Sequence, residues 1–155
     1  MTAIGIIGSR KFKDRQSVID LVDSLPADCE VITSSCKGVC AWAIEAAKAR
    51  GLAVKIFSPD LTDIRDRIDM VERYYQRNRE LVAACDIVHA FISKESGLSG
   101  GTKYEVRYAR GMGKKMILHW EKGDIQRIDQ RALPFGGKEM VFAAAWMKFF
   151  SDTLA

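Results

Sequence analysis

Five short apolar runs, the first four each followed by a polar loop and a stretch of helical period, leave few folds open to this chain. The runs occupy residues 3–8, 29–33, 53–57, 86–92 and 115–119, the length and composition of buried strands. After the first run, Val18, Leu21, Val22 and Leu25 make one helical stripe that Asp14 can cap and Pro26 ends. Residues 39–50 are an alanine-rich helix stopped by Gly51. Residues 60–67 read as loop passing into helix, and Ile64, Ile68, Val71 and Tyr75 then keep a helical period to about Ala84. A fourth helix covers residues 102–111. Strands alternating with helices predict an α/β fold: a three-layer sandwich with a mostly parallel five-stranded sheet, order 3-2-1-4-5, and helices on both faces. The 155 residues are expected to form one domain, 1–155, in which 120–155 is an irregular segment followed by a C-terminal helix.

Composition narrows the function classes. No apolar run approaches the roughly 20 residues of a membrane span, and the N-terminus lacks a secretory pattern, so a cytoplasmic protein without membrane contact is expected. Cys29, Cys36, Cys40 and Cys85 are scattered, with only His89 and His119 to complete a site. That spacing argues against zinc and for reduced thiols, and no metal or cofactor is expected. Cys40, near a helix start but with no base close by in sequence, reads as a small buried residue. A net charge of +4 suits a small anionic ligand and argues against nucleic acid as a partner.

The loops carry the chemistry. In an open parallel sheet, ligands sit beyond the carboxyl ends of the strands, where the strand order reverses. Three small polar loops fall on that edge: Gly8-Ser9-Arg10, residues 34–38 with Ser35, Lys37 and Gly38, and residues 96–102 with Ser99, Gly100, Gly101 and Thr102. Glycines there admit a ligand close to the main chain, and a helix N-terminus beyond them favours an anion. Arg10 and Lys37 can each counter a phosphate. The bland reading of Thr102 and Glu105 is a capping box opening the fourth helix. Tyr74, Tyr75 and Tyr104 are candidate stacking partners for a base, or core.

These residues together resemble the SLOG superfamily of Rossmann-like proteins. The likeness rests on Gly-Ser-Arg after the first strand, Lys37-Gly38-Val39 opening a helix, Arg77-Asn78 ahead of the Asp86 strand, and Ser99-Gly100-Gly101-Thr102. The superfamily includes the LONELY GUY phosphoribohydrolases, the lysine decarboxylase-like proteins, the DNA-processing protein A family and small bacterial and phage domains, the last being closest. Residues 101–105 match the Gly-Thr-x-x-Glu end of the LONELY GUY motif, and Arg77 stands nine residues before Asp86 as it does there. The resemblance implies a Rossmann-like nucleotide-binding domain, Arg77 and Glu105 as a catalytic pair, and residues 100–102 as a phosphate cradle.

The expected function is therefore binding of a nucleotide or nucleotide-derived ligand, with hydrolysis of its N-glycosidic bond as the activity the resemblance suggests. The alternatives are a non-catalytic nucleotide sensor and a DNA-binding module of the DNA-processing protein A type. Residues 140–147 are apolar nearly all round, which predicts a homodimer through that helix, with Trp146 and Phe150 at its interface.

Overall fold

A computed structural model describes residues 1–121 together with the backbone of residues 124–128. The elements in chain order are β1 (Thr2–Gly8), α1 (Arg15–Ser24), β2 (Cys29–Ser34), α2 (Val39–Ala49), β3 (Ala53–Phe57), α3 (Arg67–Ala83), β4 (Ile87–Ile92), α4 (Gly100–Gly111), β5 (Lys115–Trp120) and β6 (Asp124–Ile128). Local chemistry sets several boundaries. Asp14 caps α1 by accepting from the Ser17 amide at 3.2 Å, and Asp66 caps α3 by accepting from the Asp69 amide at 2.7 Å. Past α2, Gly51 takes φ 70° and donates to the Lys48 carbonyl, while the Leu52 amide returns to Ala47.

The sheet runs β3-β2-β1-β4-β5-β6, parallel throughout except at β6. The first five strands follow the expected 3-2-1-4-5 order. The sixth is a correction, because part of the segment expected to be irregular pairs antiparallel with β5, from Met116 opposite Ile128 to Trp120 opposite Asp124. Its two apolar residues, Ile125 and Ile128, stand three apart and keep no strand alternation, so the sequence carries no strand signal there. The rest of that segment, the expected C-terminal helix, and the dimer interface at Trp146 and Phe150 lie outside the described residues.

Alternation along the strands divides the core in two. On one face, Ile4, Ile6, Val31 and Phe91 pack with Val18 and Val22 of α1 and with Val39, Ala43 and Ala47 of α2. On the other, Ile7, Ile32, Val88, Ala90, Ile92, Met116 and Leu118 pack with Leu81 and Val82 of α3 and with Val106 and Ala109 of α4. Full burial of side chains of this size contributes about 1.5–3 kcal/mol each. Helices on both faces make this a three-layer α/β sandwich. Among the described residues no helix is long and apolar enough to cross a membrane.

Two details depart from the sequence reading. Helix α4 begins at Gly100, with Ser99 as its N-cap, not at Thr102. In α3 only the C-terminal half packs on the sheet, through Leu81 and Val82, whereas Ile68 is 81% exposed. The helical period is present there, but Ile68 faces solvent while Val71 and Tyr75 line a cleft rather than the sheet.

A switch-point cleft between three strand ends

Strands β1 and β4 are neighbours in the sheet and lie at the point where the chain reverses its direction of travel across it. Their loops are stitched together: the Ser9 amide donates to the Phe91 carbonyl at 3.1 Å, and the Ser9 and Ser96 hydroxyls lie 3.2 Å apart. Beyond them opens a cleft of about 500 Å³, within the usual range of small-ligand sites. Gly8, Ser9, Arg10 and Lys11 form one wall, Ser96 and Ser99 to Thr102 another, and Ser34 and Cys36 the floor toward β2. Tyr74, Tyr75, Arg77 and Asn78 of α3 close the far side, with Glu105 of α4 beside them.

Each wall has a local cause. After β4 the chain folds back on Ser93, whose hydroxyl accepts from the Glu95 and Ser96 amides at 3.1 and 3.4 Å and whose carbonyl accepts from Gly97 at 2.9 Å. The chain then runs extended through Ser99 and turns at Gly100, which takes φ 59°. A side chain there would meet left-handed strain of about 1–2 kcal/mol. The first amides of any helix lack an intrahelical acceptor, so the start of α4 presents donors and a positive dipole end to the cleft. Gly8 is small for a different reason. A Cβ at that position would come within 2.7 Å of a Val39 methyl, so the residue lets α2 seat against the end of β1.

Arg77 and Glu105 are buried polar side chains, each with one atom left without a hydrogen-bond partner. Arg77 is 5% exposed. Its Nε donates to Asn78 Oδ1 at 2.8 Å, its Nη2 faces Cys36 Sγ at 3.7 Å, and its Nη1 has no partner. The guanidinium also lies 5.6 Å from the centre of the Tyr74 ring. Glu105 is 7% exposed and its Oε2 has no partner. Burial pushes its carboxyl up to about 8, against the opposing pull of Arg77. Buried polar atoms are nearly always satisfied, and leaving them unmet costs about 1–3 kcal/mol each. Both atoms belong to residues that line the same cleft.

Helix α4 starting at Gly100 places Glu105 in the second turn rather than the first. The capping-box reading of Thr102 and Glu105 therefore fails, and the first turn of α4 holds no acidic residue. The Arg77–Asp86 spacing is not a contact either. Asp86 works at the opposite end of the sheet, where its carboxylate accepts from the Ala3 amide at 2.8 Å.

Of the expected site residues, Gly8, Ser9, Arg10, Arg77, Ser99, Gly100, Gly101, Thr102 and Glu105 line the cleft together. Ser35, Lys37 and Gly38 do not; Ser35 and Lys37 are exposed. The end of β2 and its loop contribute Ser34 and Cys36 instead, of opposite parity to Ser35 and Lys37. Continuing the strand alternation beyond β2 would have found them. Cys36 is half-buried, and although burial raises a thiol, hydrogen bonding from Ser34 and the charge and hydrogen bonds of Arg77 and Arg10 bring it below its usual range. Cys40 is buried beneath, accepting from the Ser34 hydroxyl at 3.3 Å, and burial pushes its thiol up.

No family model and no curated protein matches the sequence. Solved structures do. DNA processing protein A from Streptococcus pneumoniae matches with a TM-score of 0.62 at 15% identity, over 76% of this chain and 50% of that one. DNA processing protein A from Helicobacter pylori, described for its single-stranded DNA binding mode, matches with a TM-score of 0.57 at 18% identity, over 76% of this chain and 64% of that one. The chain thus spans between half and two-thirds of these structures. The second match overturns the expectation against nucleic acid as a partner, since that protein is described for its single-stranded DNA binding mode. The net charge of +4 does not record that Arg10, Lys11 and Arg77 line one cleft. Strand order, two-sided helix packing and these matches give the chain the Rossmann-like α/β fold seen in the DNA processing protein A structures.

Proposed function

We propose that this domain binds single-stranded nucleic acid, seating one nucleotide unit of the strand in the switch-point cleft. The observation that carries the reading is the convergence of the α4 N-terminus and an unpartnered, buried Arg77 Nη1 on the same volume. A phosphodiester is an anion that both can hold. Arg10 and Lys11 at the rim extend the positive field toward neighbouring phosphates. Tyr74 and Tyr75 offer ring surface to an unstacked base, which a single strand exposes and a duplex does not. The likeness in fold to a single-stranded-DNA-binding protein supports the same reading.

The test is fluorescence anisotropy with a labelled oligothymidylate across a salt series. Binding should weaken as salt rises, and Arg10→Ala should lower the slope of log affinity against log salt by about 0.7, one phosphate's worth on a single strand. Absence of binding at low salt rejects the reading.

A second reading has its own support in Glu105. A free nucleoside 5′-monophosphate, phosphate on the α4 amides, would bring its ribose toward a carboxyl that burial keeps largely protonated near neutral pH. Such a group can donate a proton to a departing base during N-glycosidic cleavage. Release of free base from a monophosphate panel, lost by about 10²-fold or more in Glu105→Gln, would favour an enzyme over a strand-binding module.

A further inference from the structure

The four cysteines divide sharply. Cys29, Cys40 and Cys85 are between 1% and 3% exposed, whereas Cys36 is half-buried and borders the cleft. Its sulfur lies 3.7 Å from Arg77 Nη2, and its own amide donates to Ser34 Oγ at 3.3 Å, which fixes the loop that carries it. The same guanidinium keeps a second nitrogen, Nη1, buried and without a partner, and Glu105 Oε2 is likewise unmet. Those unsatisfied atoms mark this wall as a place where a small polar molecule can be held beside the thiol.

We propose that Cys36 is a covalent modification site whose thiolate reduces a hydroperoxide admitted to the cleft. The sulfur lone pair attacks one peroxide oxygen, an S–O bond forms and the O–O bond breaks. Sulfur is oxidised by two electrons to a sulfenic acid. The other oxygen leaves as an anion and takes a proton from water, giving an alcohol, or water when the oxidant is hydrogen peroxide. Arg77 serves both ends of the step: Nη2 faces the thiolate, and Nη1 is a donor for the oxygen that departs with negative charge.

The electrostatic setting agrees. The charged and titratable groups around Cys36 are Arg10 from the β1 loop, Arg77 from α3, Cys40 from α2 and Glu105 from α4. The two cations, with the Ser34 hydroxyl, hold the thiol below its usual range despite partial burial. Thiolate character combined with access is what separates reactive cysteines from inert buried ones. Cys29, Cys40 and Cys85 are all shifted upward by burial. The assignment concerns the thiol itself and holds whatever ligand the cleft takes.

The experiment treats native protein with hydrogen peroxide in the presence of dimedone and maps the adduct by peptide mass spectrometry. The adduct should fall on Cys36 alone, disappear in Cys36→Ser, and after unfolding in urea iodoacetamide should reach all four cysteines. The rate of alkylation by iodoacetamide against pH supplies a second readout. Its midpoint for Cys36 should lie below that of free cysteine and rise in Arg77→Gln, with the rate at pH 7 falling about threefold or more. Should Arg77→Gln not fold, Arg10→Gln on the outer loop is expected to move the midpoint the same way by less. An adduct missing from Cys36, or spread over the other three in the native state, overturns the proposal. So does the pH profile of an ordinary thiol that neither arginine substitution moves.

Discussion

Glu105 makes the stability of the fold depend on pH in an unusual direction. Its carboxyl titrates near 8 in the folded protein against 4.5 for an ordinary one. Between those values the native state holds a proton that the unfolded chain has released, so stability falls as pH rises through that window. The loss is fully developed above about 8, and by pH 7 it amounts to about 3 kcal/mol. Glu105→Gln keeps a neutral side chain of the same shape, so its unfolding free energy by urea denaturation should stay nearly level from pH 5 to 8. The two proteins should differ most at the alkaline end, where the variant is the more stable. A wild type that gains stability across the same range would contradict the burial of an unmet carboxyl. Residue by residue, the sequence made Arg77, Glu105 and the 99–102 loop legible through motif spacing, but not their state. Motif spacing says nothing of burial, and a helix two residues longer at its start turned a presumed cap into a buried acid. Metal spacing alone does not single out Cys36; its parity with Ser34 is the sequence signal that accompanies its place on the cleft.

The elements that frame the cleft were the most readable part of the chain. Strong apolar runs and clear stops, Asp14, Pro26 and Gly51, place β1 to β5 and their helices within a few residues. What escaped was the meaning of a pattern. The stripe of Ile68 and Val71 keeps the helical period, but those side chains are 81% and 40% exposed because α3 leans its N-terminal half over the cleft rather than onto the sheet. The seat of α2 is a firmer instance of sequence dictating packing. Gly8 sits under Val39, and an added Cβ would lie 2.7 Å from one methyl and 2.9 Å from the next carbons. Gly8→Ala must push α2 away from the end of β1, which should cost about 1–3 kcal/mol. A urea titration followed by circular dichroism measures it, and an unchanged midpoint would mean that α2 is not held where the fold requires.

Over the described residues the molecule is a three-layer sandwich whose sheet order leaves a single reversal, between β1 and β4, and the cleft stands there. Ligand sites in open parallel sheets form at that reversal, and the sheet order and loop chemistry that mark it are both readable in the sequence. The antiparallel β6 extends the sheet on the far side of β5. The central claim is that the start of α4 receives a nucleic-acid phosphate. The most direct measurement is a crystal structure of the protein with a short oligothymidylate. The account predicts a phosphate with its oxygens about 2.7–3.2 Å from the Gly101 and Thr102 amides, a further contact from Arg77 Nη1, and a base against Tyr74 or Tyr75. A bound strand whose phosphates avoid the α4 N-terminus, leaving Arg77 Nη1 unmet, would contradict it.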